Sequence, residues 1–276
     1  MTTDNTEIQQ AERAGVDLYE GWTTAYNAVD GDGHQSLLGL PHASFGGGRP
    51  TRDVLAVAVR RDQYQGVKER VTHRDKGWGH SAHDNIRHVQ MTPDKSHLVA
   101  DIVRYEEDGT PYGVGWSRLQ VAYRDENGWR IRILSSCGLR NPDVPEVSDD
   151  AQIVAGAEQL IRDVVESINR NDAESLRSLI NFPFVRLPGA RFDVVDDAAS
   201  LQLSEASDGW TRSEITKVSA FPPQSGDKVA VEVEVKRWNA QGEELPPEGA
   251  MCLVTKQDGQ WGLQMCSTRA GLAGLP

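Results

Sequence analysis

The sequence predicts two tandem α+β domains, each with helices on one face of a curved antiparallel sheet. Three observations carry this reading. Short motifs recur in the same order in both halves of the chain. Each half opens with helical periodicity. Each half then switches to the alternation of strands.

The repeats come first. GWGHS (77–81) faces GWTRS (209–213), 132 residues apart. At the same spacing ENGWRIRILSS (126–136) faces DGQWGLQMCST (258–268), matching Trp129 with Trp261 and Ser135 with Ser267. VADIVRYEEDG (99–109) faces VEVKRWNAQG (233–242) with one residue of slippage, matching Arg104 with Arg237 and Tyr105 with Trp238. Upstream, NAVDGDGHQSLLGLP (27–41) faces NRNDAESLRSLINFP (169–183) at a spacing of 142. A length of 276 residues with 38% hydrophobic content suits two domains with real cores. We therefore expect a first domain over 1–139, a linker rich in proline and acid over 140–152, and a second domain over 153–276.

The elements follow from periodicity. AEQLIRDVVESINRND (157–172) places Leu160, Ile161, Val164, Val165 and Ile168 on one helical stripe. Its counterpart spans about 7–30, with Leu18, Trp22, Tyr26 and Val29 on one face. A short helix is expected around ESLRSLI (174–180). KVAVEVEVKRW (228–238) then alternates, valines on one face and Glu232, Glu234 and Lys236 on the other. AMCLVTK and WGLQMCS form a hairpin about QDGQ (257–260). HLVADIVRYE, GWSRLQVAYR and WRIRILSS repeat this pattern, with DENG (125–128) as the turn.

Composition excludes several partners. A net charge of −12 argues against nucleic acid and against anionic membrane surfaces. The N-terminal stretch is polar and reads as no signal peptide, and no segment has the apolar length of a membrane span. Cys137, Cys252 and Cys266 are too few and too odd in number for a disulfide framework, which points to a cytoplasmic protein.

Short helices, GW-x-x-S, a long strand ending in Arg-aromatic, a D/N-x-x-G turn and a last hairpin closing on DG-x-W-x-x-x-x-x-S together resemble the nuclear transport factor 2-like, or SnoaL-like, cone fold. Ketosteroid isomerase, scytalone dehydratase and limonene epoxide hydrolase share it. The resemblance covers nearly the whole chain as two copies. It implies cone-shaped domains, an internal pseudo-dimer with further oligomerisation left open, and a mostly apolar pocket with a few inward polar groups. It implies no cofactor. Isomerases, dehydratases, epoxide hydrolases, aldol-type cyclases and pure binding modules all belong to this family, so fold alone does not choose among them.

The copies differ in a directed way. His42, after the proline of LPHASF, faces Phe184, and His80 of GWGHS faces Arg212. All seven histidines lie in the first copy. Histidine accepts and returns protons near neutral pH, so an active site is expected in the first domain and a supporting role in the second. His42 and His80 are the expected general base and acid, weighed against plain surface positions. Asp84 shares His80's side of a strand and either orients its imidazole or is simply exposed. Arg104 lies on the inward face with Leu98, Ala100 and Ile102, with Asp101 on the other. It serves either developing charge or a structural ion pair common to both copies. Trp22, Tyr26, Tyr64, Trp78 and Trp116 either line a pocket for an aromatic or polycyclic ligand or fill the core. Tyr19 and Tyr26 are equal candidates for a hydroxyl aimed at an oxyanion. Four histidines fall between His73 and His88, but no H-E-x-x-H pattern exists and His80 and His83 occupy opposite strand faces, so no metal is expected. Cys137 has no nucleophile signature, and GGG (46–48) lacks the Lys-Ser/Thr of a phosphate loop. These residues point to a cofactor-independent lyase, dehydratase or isomerase acting on a small hydrophobic hydroxylated or carbonyl compound. The alternative is a non-catalytic module that binds a small ligand or a protein.

Overall fold

A computed structural model describes residues 5–46, 55–58, 77–135, 150–189, 191–201, 209–221 and 226–269, with 55–58 and 112–117 as backbone. The chain divides into two compact units, Met1–Pro145 and Glu146–Pro276. In the first, α1 (Asn5–Asn27) and α2 (Gly31–Ser36) precede β1 (Leu38–Phe45), β2 (Leu55–Ala58), β3 (Trp78–Thr92), β4 (Lys95–Glu106), β5 (Pro111–Asp125) and β6 (Gly128–Ser135). In the second, α3 (Asp150–Asn169) and α4 (Ala173–Ser178) precede β7 (Ile180–Pro188), β8 (Asp193–Val195), β9 (Trp210–Ala220), β10 (Lys228–Asn239), β11 (Glu244–Gln257) and β12 (Gln260–Thr268). The sheets run β2-β1-β6-β5-β4-β3 and β8-β7-β12-β11-β10-β9, so one topology is written twice.

Each unit is thus α+β, as the sequence predicts, with one difference. The sheets are mixed rather than purely antiparallel, because β1 runs parallel to β6 and β7 parallel to β12. LPHASF and FPFVRL carry no alternation strong enough to announce these strands. Their neighbours in the sheet come from the far end of each unit, a pairing that local pattern cannot express.

Burial follows the predicted stripes. On α1, Ala11, Gly15, Leu18, Tyr19, Trp22 and Ala25 are buried, and the helix packs across β3, β4, β5 and β6. On α3, Ala157, Leu160, Ile161, Val164 and Ile168 join Val229, Val231, Val233 and Val235 of β10 in one core. Each buried valine or isoleucine contributes roughly 1.5–3 kcal/mol of transfer free energy. Gly15 lies so close to β4 that a Cβ would collide with Ser96.

The long helices end in the same way. Both α1 and α3 finish on Asn, and Asp30 or Asp172 three residues later caps the next short helix by accepting from Gly33 N (2.8 Å) or Ser175 N (3.0 Å). The terminal asparagines do the joining. Asn27 Nδ2 donates to Ser81 O at 2.8 Å, and Ser81 N donates back to Asn27 Oδ1 at 3.0 Å. Asn169 repeats this on Ser213, both bonds at 2.8 Å. The tryptophan of each GW pair then donates its indole N–H to the same serine's hydroxyl, Trp78 at 3.1 Å and Trp210 at 2.8 Å. GW-x-x-S is therefore the strand half of a lock whose helix half is Asn.

Removing the asparagine leaves a backbone N–H and a backbone carbonyl without their partner. Asn27→Ala should destabilise the first unit by about 2–3 kcal/mol, and Asn169→Ala the second by a similar amount. Ser81→Ala keeps the backbone bonds and should cost about 1 kcal/mol. Hydrogen exchange in urea, resolved by peptide, assigns each loss to its unit.

Candidate functional site

The interior of the first unit holds a cluster of rings and charge. Trp22 and Tyr26 project from α1 one turn apart and stack at 5.4 Å with planes 5° apart. Tyr26 meets Trp78 edge-on at 5.4 Å. His34, from α2, sits 4.6 Å from Trp22. Arg118, from β5, lays its guanidinium over the Trp22 ring at 3.8 Å and lies 5.4 Å from Tyr19. Gln120, two residues along the same strand face, donates to Gly15 O of α1 at 2.9 Å. His42 on β1 holds its Nδ1 3.1 Å from Ile131 O on β6. A carbonyl only accepts, so Nδ1 carries the proton and Nε2 is left as the lone-pair nitrogen of the neutral ring.

Burial sets the charge state. His34 is pushed down to about 4 by desolvation first and by the Arg118 charge second. His42 is pushed down to about 4 by burial, against the pull of the Ile131 carbonyl. Both imidazoles are therefore neutral at pH 7, with the Arg118 guanidinium acting on His34 and the Arg132 guanidinium on His42. Several polar atoms here are buried without a hydrogen-bond partner among the described residues: both nitrogens of His34, Trp22 Nε1, Arg118 Nε and Gln120 Oε1.

The second unit shows what the same scaffold does without these groups. At the matching positions Tyr19, Trp22 and Tyr26 become Ile161, Val164 and Ile168. His34 becomes Leu176, His42 becomes Phe184, Arg118 becomes Ala250 and Gln120 becomes Cys252. Every polar group gives way to an apolar side chain or a thiol. The smaller residues leave an apolar cavity of ≈ 40 Å³, walled by Ile161, Val164, Ile168, Trp210, Ala250 and Cys252 among others. Cys252 lies opposite Cys266 with 3.6 Å between the sulfurs, and this neighbour together with burial pushes its thiol up.

The structure brings together only some of the residues expected from sequence. His42, Trp22, Tyr26 and Trp78 lie in the first unit's interior. His80 does not join them: its side chain is exposed and stacks on Tyr105 at 4.5 Å with planes 5° apart. Arg212 occupies the same place over Trp238, at 4.1 Å. The two residues are thus alternative planar groups on one cross-strand aromatic. Asp84 is likewise exposed and accepts from Asn85 N at 2.8 Å rather than serving an imidazole. Arg104 is buried on the inner face, opposite Ser81 in the β3–β4 pairing. Its counterpart Arg237 lies 4.0 Å from the buried Glu248, and the position matching Glu248 in the first unit is Trp116. Trp116 pairs with Ile102 across β4 and β5. Its side chain, Tyr64, His73, Cys137, the glycine loop beyond Gly46 and residues 140–149 of the expected linker lie outside the described residues.

Three residues of the cluster escape a reading of the sequence that stops at His42 and His80. His34, Arg118 and Gln120 could be found by extending the same comparison between copies, since spacings of 142 and 132 pair them with Leu176, Ala250 and Cys252. Among the described residues, no group of three or more His, Cys, Asp or Glu could hold a metal, and no helix is long and apolar enough to cross a membrane.

The lowered imidazoles make the first unit acid-sensitive. Unfolded, both rings bind protons near 6.5; folded, only near 4. Their contribution is fully present above pH 6.5 and is lost as pH falls toward 4, at roughly 3 kcal/mol per ring at most. Between pH 6.5 and 5, before most carboxylates titrate, the first unit should lose stability while the second holds. Peptide-resolved hydrogen exchange across that range checks this, and His34→Leu with His42→Phe should flatten the first unit's response.

No family model matches the chain, and no curated protein matches it. Solved structures do, each over about half of its length. An NTF2-like protein of unknown function from Pseudomonas putida is 12% identical, with 42% of this chain and 85% of that one covered, at a TM-score of 0.35. A ketosteroid isomerase-like protein from Erwinia carotovora atroseptica is 20% identical, with 48% and 95% covered, at 0.35. A protein of unknown function from Mycobacterium tuberculosis is 15% identical, with 59% and 94% covered, at 0.39. Each of these matches about half of this chain and most of its own length.

Proposed function

We propose that the first unit binds a small hydrophobic hydroxylated or carbonyl compound and moves a proton on it without a cofactor, as a lyase, dehydratase or isomerase does. One observation supports this reading above others. Polar and titratable groups fill the interior positions of one copy, where the other copy shows that the scaffold accepts apolar ones. Buried polar groups without partners cost stability, and such costs gather at functional sites.

The roles follow from the geometry. His42, held in one tautomer by Ile131 O, would take a proton on Nε2. A ring whose pKa lies near 4 stays neutral at pH 7, so His34 can also donate a hydrogen bond without carrying charge. Arg118 would steady negative charge developing on a substrate oxygen, in an environment where that interaction is strong.

A second reading is favoured by the cavity in the other unit. Its walls are almost wholly apolar, which fits capture of a small apolar molecule with no chemistry. Under this reading the chain is a binding module.

Replacing His34 and His42 by the second unit's own residues separates the two. His34→Leu with His42→Phe should fold, since those side chains already sit in this scaffold. A thermal-shift screen of aromatic, steroid-like and polyketide-like compounds identifies binders, and NMR of the incubated binders reports conversion. The enzyme reading expects conversion by the wild type and a loss of at least a hundredfold in the double variant. Unchanged turnover in the variant removes the histidines from the chemistry. Binding without conversion in both proteins leaves the module.

A further inference from the structure

Arg118 carries a consequence for what the first unit binds. Its side chain is 4% exposed, yet no described carboxylate pairs with it and no described acceptor takes a hydrogen bond from it. Its contacts are the faces of two rings, Trp22 and Tyr19. Stacking uses the face of a guanidinium. The N–H donors lie in its plane and remain to be used, and Nε is fully buried with no acceptor.

A cation held away from water without a counter-charge is costly to fold around. Folding does not demand it here, because the matching position in the second unit is Ala250. Among the described residues no carboxylate is paired with it: Asp30, whose charge reaches His34, caps α2, while His34, His42 and Gln120 are neutral and the rings offer only their quadrupoles. What a planar fork of N–H donors lacks is a planar anion. The aromatic side chains beside it supply the second half of a recognition pattern, apolar surface next to charge.

We infer that the first unit recognises a flat aromatic or conjugated carboxylate, its carboxylate on the in-plane N–H donors of Arg118 and its apolar body against the aromatic side chains around Trp22. This rests on the proposed small-molecule site and narrows its ligand to an anion. Trp22 Nε1 and Gln120 Oε1, both buried without partners, are the remaining groups available to a ligand oxygen or hydroxyl.

The test compares charged probes with neutral isosteres on the full chain. Benzoate and 1-naphthoate are titrated beside benzamide and 1-naphthamide by calorimetry, with wild type, Arg118→Met and Arg118→Lys. At least one carboxylate should bind the wild type thirtyfold or more tighter than its amide. Arg118→Met should erase that preference. Arg118→Lys should recover only part of it, because a point charge lacks the fork. Equal affinity for acid and amide in the wild type overturns the anion and leaves the site. Carboxylate binding that survives Arg118→Met moves the anion elsewhere. Failure of all four probes to bind, with both variants folded, counts against the site itself.

Discussion

The hydrogen-bonded pair between a helix's last asparagine and the backbone of the GW-x-x-S serine is the contact on which the rest depends. It fixes where α1 leaves the sheet and hence which helical face looks inward. Tyr19, Trp22 and Tyr26 reach the interior because Asn27, at the end of the same helix, is held to Ser81. With the helix end fixed, Asp30 starts α2 at once, and His34 is delivered beside Trp22. The second unit keeps this lock with Asn169 and Ser213 but delivers Ile161, Val164, Ile168 and Leu176 to the same places. Scaffold and lining are thus separable. The lock is repeated in both units and the lining is not.

Much of the fold was legible because it is local. The 3.6-residue stripe of 157–172 and the strict alternation of 228–238 each name their element without outside help. The parallel placement of β1 and β7 was not legible, since it depends on partners roughly eighty to ninety residues away along the chain. The helix over 7–30 was read three residues too long, because Val29 continues the apolar stripe past the point where Asn27 turns to β3 and Asp30 becomes a cap.

The site was legible in part, and for a physical reason. Comparing copies finds positions that differ, but a difference on a strand has two possible faces. His42 differs from Phe184 on the inner face, where exchange of a ring for an imidazole changes chemistry. His80 differs from Arg212 on the outer face, where both stack on an aromatic neighbour and the exchange is nearly neutral. The register shift between Trp78 and His80 disturbs the alternation at this spot, so counting residues from the motif does not by itself give the face. Arg118 was hidden for another reason. Arginine in a strand ordinarily reads as an outward residue, and only its burial reveals otherwise.

The pairing of His42 with Phe184 has a further meaning. When a protein assembles from two identical chains, every substitution enters both subunits, and an interior costly to one is costly twice. Joining the copies in a single chain removes that constraint. One interior can then take on buried imidazoles and a guanidinium with no carboxylate paired to it among the described residues, while most matching positions of its sister are apolar. One topology present twice in a single chain is in that sense a licence for asymmetry, and the seven histidines all lie in one half.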